Sequence, residues 1–395
     1  MNKYFCKAPF IQLEFSPQGE CRVCCKMHDP VLKDDGEQYK IQSSTVTEIW
    51  KSNWMENFRE RCITEEKRPE CDICWKDEEA GIFSYRKQLE GAPFCNVDDP
   101  NLAVMVLKLS NKCNCACRIC DWYLSSLWQS EKEKTNRIKL DNLHNSMTPK
   151  ITDENWEDWK KNLGEVDHLA LYGGEPLIND EVIQILQYLI DIGRSDKVNI
   201  GLNTNGTITS KKIFEMLNQF SAVALSFSID DIGERYNYER WPAESEKILS
   251  ELQDIHDNRN YEKIYMHLYT TISVFNVLNI DEILTKFKEF NKWGVNFDNI
   301  LHNPEYLSIV NLPENVKPKV EEYLNSFNWE DTNWIRINED YKKNVINFMY
   351  LNTSQYTCEE YINKLDKELG FDDLRRKQDW RKTFSKLYEL LKTSE

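Results

Sequence analysis

The chain has 395 residues, 41% hydrophobic and 12% aromatic, with a net charge of -16 and a pI near 5.0. This is enough apolar material for one large domain plus a smaller one, while the acidic balance argues against an extended nucleic-acid surface, whose affinity rests on clustered Lys and Arg. No apolar run reaches the roughly 18 residues of a membrane span, and the opening MNKYFCKAPFIQLEF lacks the apolar core of a signal peptide, so a cytoplasmic protein is expected.

The first 100 residues hold eight of the thirteen cysteines: Cys6, Cys21, Cys24, Cys25, Cys62, Cys71, Cys74 and Cys95. A reducing cytosol disfavours disulfides, and grouped soft thiolates select zinc or iron-sulfur clusters. This stretch reads as a separate cysteine-bearing module. Cys62, Cys95 and the remote Cys358 read as small buried hydrophobes.

From 102 to 304 the pattern changes to apolar runs alternating with amphipathic segments. Strands are expected at 102–110, 168–173, 197–206, 222–230, 263–275 and 296–303, and helices at 181–193, 210–220 and 279–294, where apolar residues recur every three or four positions. Six such units predict an α/β fold with a partial (β/α)6 TIM-like barrel; a doubly wound sheet gives a similar pattern. In both, ligand residues gather just after the C-terminal ends of the strands. The domain division is 1–100 for the cysteine module, 101–304 for the barrel and 305–395 for a helical C-terminal region. Within the last, LRRKQDWRK (374–382) reads as a solvated helix face among acidic residues.

Unusual residues fall at the expected strand ends. After the first comes LSNKCNCACRICDWY, holding Cys113, Cys115, Cys117 and Cys120. Cys113, Cys117 and Cys120, spaced three and then two residues apart, would hold three corners of a four-iron cluster and leave one iron open. With Cys115 the same stretch makes a closed cluster or a structural zinc site. After the second strand comes Tyr172-Gly173-Gly174-Glu175-Pro176, in which paired glycines permit close backbone approach and the carboxylate can accept hydrogen bonds from an ammonium group.

That triad followed by a GGE-type motif resembles the radical S-adenosylmethionine (radical SAM) superfamily. The resemblance implies a 4Fe-4S cluster on Cys113, Cys117 and Cys120 with S-adenosylmethionine on its open iron, and Cys115 as a bystander. It extends to NTNG (203–206), to Ser228 in SFSIDD and to Arg240 in YNYERW. It implies that Gly173, Gly174 and Glu175 meet the methionine amino group, Arg240 its carboxylate, and Ser228 with strand-end groups such as Asn203 the ribose. Ile119 departs from the family, many members of which carry an aromatic before the last cysteine.

The N-terminal module resembles the twitch (SPASM-like) pattern for an auxiliary cluster: Cys6, Gly19 and Cys24, then Cys71-Asp72-Ile73-Cys74. The resemblance implies a second 4Fe-4S cluster on Cys6, Cys24, Cys71 and Cys74, with Cys25 or Cys21 able to replace Cys24; a four-cysteine zinc knuckle is the alternative. In better-known relatives this module follows the barrel, whereas here it precedes it. The implied activity is reductive cleavage of S-adenosylmethionine to a 5'-deoxyadenosyl radical that takes hydrogen from a peptide or protein side chain, with flavodoxin or ferredoxin as electron donor. The alternatives are a dehydrogenase or epimerase of a sugar, nucleoside or other small metabolite, and a non-catalytic iron-sulfur or zinc protein. His302 and Tyr306, after the sixth strand, are candidates to shape the substrate pocket or act as acid or base.

Overall fold

The computed structural model describes residues 3–64, 67–79, 81, 83–92, 95–138, 151–259, 261–327 and 339–394. Its centre is one eight-stranded sheet in the order β2-β1-β3-β4-β5-β6-β7-β8. The strands are β1 (Gln12–Phe15), β2 (Cys21–Arg22), β3 (Val104–Leu107), β4 (His168–Leu171), β5 (Asn199–Thr204), β6 (Ala222–Ser228), β7 (Ile264–Ile272) and β8 (Gly294–Ile300). All neighbours pair in parallel except β1 and β2. The six expected strands are β3 to β8, and the fold is α/β with a mostly parallel sheet forming a partial barrel and helices outside it. Among the described residues no helix is long and apolar enough to cross a membrane.

Register explains what the two faces of the sheet do. Leu107, Leu171, Leu202 and Leu225 lie side by side across β3 to β6 and are all buried. One step on, the other face carries Asn203, Ser226 and His267 in a row, as side chains alternate along a strand. The outer face packs on helices such as Asp180–Asp191, whose Val182, Ile185, Leu186 and Leu189 are buried. Asn179 caps that helix by accepting from the Glu181 N–H.

Two features differ from the expectation. The segment before residue 100 contributes β1, which pairs in parallel with β3 from Gln12↔Val104 to Phe15↔Leu107. Hence the barrel sheet continues into the cysteine-bearing stretch. The expected helix 279–294 also stops at Phe287. Beyond it Phe290 and Trp293 close turns onto Phe287 and Phe290, and Trp293 stacks on Phe227 at 5.3 Å, so the three-residue apolar spacing there belongs to turns. The end of the chain folds as helices Lys317–Asn325, Glu339–Met349, Cys358–Arg376, Trp380–Thr383 and Ser385–Lys392.

Candidate cofactor site

The cysteine stretch leaves β3 and is fixed by hydrogen bonds from several directions. Ser125 Oγ donates to the Cys115 carbonyl at 2.6 Å, Trp128 Nε1 to the Cys117 carbonyl at 2.7 Å, and the Cys113 N–H to Ser126 Oγ at 3.0 Å. The Ala116 and Arg118 N–H groups donate to the carbonyls of Trp241 and Glu239, both at 2.7 Å. These contacts bring Cys113, Cys117 and Cys120 into mutual electrostatic range: Cys117 and Cys113 are the charges that, after burial, push the Cys120 thiol up. Burial pushes Cys113 to about 12. Cys115 lies on the Asn205 side, where Asn205 Nδ2 donates to its sulfur at 3.4 Å, and its own thiol is paired with Cys117. That pairing, with help from the Arg240 charge, lowers Cys117 against the effect of burial.

The YGGEP turn packs directly on this loop. Gly173 and Gly174 have φ of 81° and 50°. A Cβ on Gly174 would collide with the Lys112 carbonyl, and one on Gly173 with Lys108, so both glycines serve close approach of two backbone segments as well as the positive φ. The Glu175 N–H donates to the Lys112 carbonyl at 2.8 Å. Its carboxylate is buried. One oxygen accepts from the Asn205 N–H at 2.7 Å and the other from Thr204 Oγ1 at 2.9 Å and the Leu177 N–H at 3.1 Å. Glu175 thus pins the end of β5 to the turn through internal donors; burial raises its pKa against these bonds.

Asn203 and Ser228 lie on the same half-buried sheet face, Asn203 opposite Ser226 and Ser228 opposite Tyr269. Arg240 is buried, held by Asp230 at 2.8 Å through Nε and 2.7 Å through Nη2, and its Nη1 lies 3.9 Å from the Cys117 sulfur. Three residues here escaped the sequence reading. Asn205 ties the NTNG end to the cysteine loop, its Nδ2 also donating to Asn114 at 2.8 Å. Asp230 orients Arg240 and accepts from the Thr271 N–H at 2.9 Å; its signal was the acidic pair following Ser228. Arg118 donates to Asp373 at 2.7 Å across 255 residues of sequence.

LRRKQDWRK is solvated on one side only: Leu374, Arg375, Lys377, Arg381 and Lys382 are exposed, while the other side is covered. The Arg376 side chain is fully buried and pairs with Glu131 at 2.7 Å, Arg375 meets Glu131 and Asp372, and Trp380 is in the core. The C-terminal helix braces the cysteine loop, because Glu131 on the helix following that loop meets both arginines and Arg118 in the loop meets Asp373.

In the N-terminal segment Cys6, Cys24, Cys71 and Cys74 come within electrostatic range of one another: Cys71 and Cys74 act on Cys6, and Cys6 and Cys71 act on Cys24. Burial pushes Cys6 to about 12. Cys62 also feels Cys6 and Cys71. Cys21 is buried in β2 with Glu14 as its charged neighbour, while Cys25 is exposed near Glu14, Lys108, Lys26 and Cys74. None of the thirteen cysteines forms a disulfide. Among the described residues, no group of three or more His, Cys, Asp or Glu side chains is arranged to hold a single metal ion.

His302 and Tyr306 open onto different cavities. His302 lines one of about 170 Å³ with Lys26, Asp77, Tyr85, Tyr269 and Phe348, and burial together with Lys26 lowers its pKa. Tyr306 lines one of about 630 Å³ with Arg118, Ile119, Cys120, Asp121 and Phe371.

At one end of a mostly parallel α/β partial barrel, the thiols after β3 thus lie beside a glycine turn and a buried Arg-Asp pair. Residues 107–285 match the model of the Radical SAM superfamily, and this match supports membership of that superfamily. The chain is 24% identical over 318 residues to a protein named radical SAM cyclopropyl synthase TigE from Paramaledivibacter caminithermalis, with 76% of this chain and 64% of that protein covered. Among solved structures it resembles native anSMEcpe with bound AdoMet (TM-score 0.39, 19% identity, 56% of this chain and 57% of that one). It also resembles Streptococcus suis SuiB bound to S-adenosylmethionine (TM-score 0.37, 14% identity, 68% and 56%). The chain spans less than two thirds of the length of each.

Proposed function

We propose that this chain is a radical SAM enzyme that takes hydrogen from a peptide or protein side chain. The observation that carries the reading is the set of three thiols at 113, 117 and 120, Cys117 buried and the other two half-buried, beside the YGGEP turn and Arg240. The site fits the cofactors: its donors are soft sulfurs suited to iron-sulfur chemistry, a cation touches one of them, and the glycine turn leaves backbone free of side chains beside them.

When bound, the cluster and S-adenosylmethionine supply one-electron reductive cleavage and a carbon radical. Cys113, Cys117 and Cys120 hold the cluster. The Gly173-Gly174 backbone takes the cofactor's amino group, with Glu175 keeping the turn and the end of β5 in place. Arg240, already oriented by Asp230, takes the carboxylate, and Ser228 and Asn203 take the ribose. Such preorganised groups lower the entropic cost of bringing the reacting atoms together. The substrate enters by the cavity lined by His302, Asp77 and Tyr269, which joins the cysteine-bearing segment to the ends of β7 and β8. Polar and aromatic groups from both sides suit a peptide side chain. Cys6, Cys24, Cys71 and Cys74 hold an auxiliary 4Fe-4S cluster that moves electrons, and flavodoxin or ferredoxin supplies the reducing electron. Thirteen cysteines without a disulfide fit a reducing cytoplasm.

The test is anaerobic reconstitution, reduction and assay for 5'-deoxyadenosine. A cluster-replete, reduced sample that yields none sinks the enzyme reading. Product analysis with candidate peptides looks first for hydrogen loss and for cyclopropyl formation, the latter being the activity in the name of the P. caminithermalis relative.

A further inference from the structure

The N-terminal segment holds five arginines, and four have their charge or most of their N–H groups satisfied. Arg22 pairs with Glu20 at 3.0 Å. Arg59 donates to the carbonyls of Pro9 and Trp50 at 2.8 and 2.9 Å and stacks on Trp50. Arg61 pairs bidentately with Glu70 at 2.7 and 3.1 Å. Arg86 pairs with Glu78.

Arg68 differs. Its residue is 0% exposed, yet among the described residues no carboxylate lies within ion-pair distance. Nη2 donates to the Tyr4 carbonyl at 3.0 Å, while Nε and Nη1 are buried with no hydrogen-bond partner. The indole of Trp75 covers it at 5.7 Å, and Trp75 Nε1 donates to the Arg68 carbonyl at 3.0 Å, so the residue is built into place. The guanidinium is hydrogen-bonded to the Cys71 thiol, and its charge also reaches Cys6, Cys62 and the Glu70 carboxylate, which is itself taken by Arg61.

A buried guanidinium without a counter-charge costs several kcal/mol, and two N–H groups left unpaired add about 1–3 kcal/mol each. The site stays folded around it if something anionic completes it. The sulfur face of a cluster on Cys6, Cys24, Cys71 and Cys74 carries net negative charge and accepts N–H hydrogen bonds, which supplies both missing partners.

We infer that Arg68 is the counter-cation and N–H donor of the auxiliary cluster and holds its reduction potential up. This rests on the auxiliary-cluster reading above. A fixed positive charge favours the reduced cluster, which carries one more negative charge than the oxidised one. Arg68 is a positioning residue, since it acts through the cluster and touches no substrate.

The experiment uses the full chain with Cys113, Cys117 and Cys120 replaced by Ala, so that any cluster signal comes from the N-terminal segment. Iron and sulfide are counted after reconstitution, and the cluster is titrated potentiometrically with EPR detection. Arg68→Met is expected to lower the ratio of reduced to oxidised cluster at fixed potential about tenfold or more, a downward shift of at least about 59 mV for one electron. Arg68→Lys, which keeps the charge, is expected to restore most of it. Should Arg68→Met not fold, Arg68→Lys decides alone: it keeps the potential within threefold in ratio while altering the EPR line shape as the planar fork is lost. A background protein that binds no iron-sulfur cluster sinks the auxiliary reading and this inference with it. A background protein with a full cluster whose potential and spectrum are the same in both variants overturns the Arg68 assignment alone.

Discussion

The two cysteine groups are built in opposite ways. Cys113, Cys117 and Cys120 come from eight consecutive residues and are braced from far away, by Arg118 on Asp373, Arg376 on Glu131 and the backbone of 239–241. Cys6, Cys24, Cys71 and Cys74 come from three separate stretches, brought together by short local elements around a buried arginine with no carboxylate partner among the described residues. Both groups leave buried polar atoms unmet: Arg118 Nε, Arg376 Nε and the two Glu239 oxygens around the first, Arg68 Nε and Nη1 in the second. The first is nevertheless tied to distant parts of the chain, whereas the second depends on short local elements. Cofactor binding should therefore order the N-terminal segment more than it orders the loop after β3.

The largest effect that tests this contrast is at Cys117, the sulfur touched by Arg240. Cys117→Ala is expected to abolish 5'-deoxyadenosine formation, while Cys115→Ala spares it, because Cys115 is spent on Asn205 and on its neighbour. Iron counts keep the two groups apart: Cys117→Ala loses about four irons per chain and leaves those of the N-terminal segment. If both variants lose cleavage, the triad is wrongly chosen and Cys115 belongs to it.

The next effect attacks the bracing. Arg376→Ala leaves Glu131 with Arg375 alone, and removing one partner of a buried ion pair costs about 3–5 kcal/mol. The midpoint of denaturant unfolding should fall accordingly, and the cluster at 113–120 should be lost on dilution sooner than the N-terminal one. Equal loss from both groups would mean that the C-terminal helix stabilises the whole chain and does not single out this loop.

These braces show where the sequence stops being readable. The cysteine stretch after β3, the YGGEP turn and strands β3 to β8 were legible because each is a contiguous pattern whose meaning is local: a run of thiols, a glycine pair, alternating burial. The strand Gln12–Phe15 is only four residues between cysteines, too short for its alternation to show, and its partner lies 92 residues on. Of the arginines in LRRKQDWRK, Arg375 and Arg381 are exposed as expected, but Arg376 was misread because charge density does not tell which side of a helix is covered, and its partner Glu131 carries no motif. Asn205 was missed beside Asn203 because a strand end turns, so alternation no longer says which of two neighbours points at the loop.

A smaller effect is expected at Glu175→Gln. The amide keeps one acceptor but turns an NH2 toward donors that the carboxylate served, which costs about 1–3 kcal/mol and loosens the tie between the turn and Asn205. KM for S-adenosylmethionine should rise more than kcat falls, since the turn is proposed to bind the cofactor by its backbone. A fall in kcat with unchanged KM would place Glu175 in the chemistry instead.

The smallest effect belongs to Glu239. Its side chain is completely buried and neither carboxylate oxygen has a partner among the described residues. Burial, with the charges of Asp230 and Asp231 beside it, drives its pKa well above the usual glutamate range, which favours the neutral acid. Gln copies that form in shape and charge, and Glu239→Gln is expected to change stability by about 1 kcal/mol or less, against about 2–5 kcal/mol for the cavity left by Glu239→Ala. The pH dependence has a definite sign. A carboxyl whose pKa is raised on folding contributes fully below its unfolded pKa and loses that contribution as pH rises toward the folded value. The difference in unfolding free energy between wild type and Glu239→Gln should therefore move in favour of Gln from pH 5 to pH 8. Movement the other way would make Glu239 an ionised partner of Arg240, and the buried acids beside Cys117 would then count as part of the charge that a cluster has to meet.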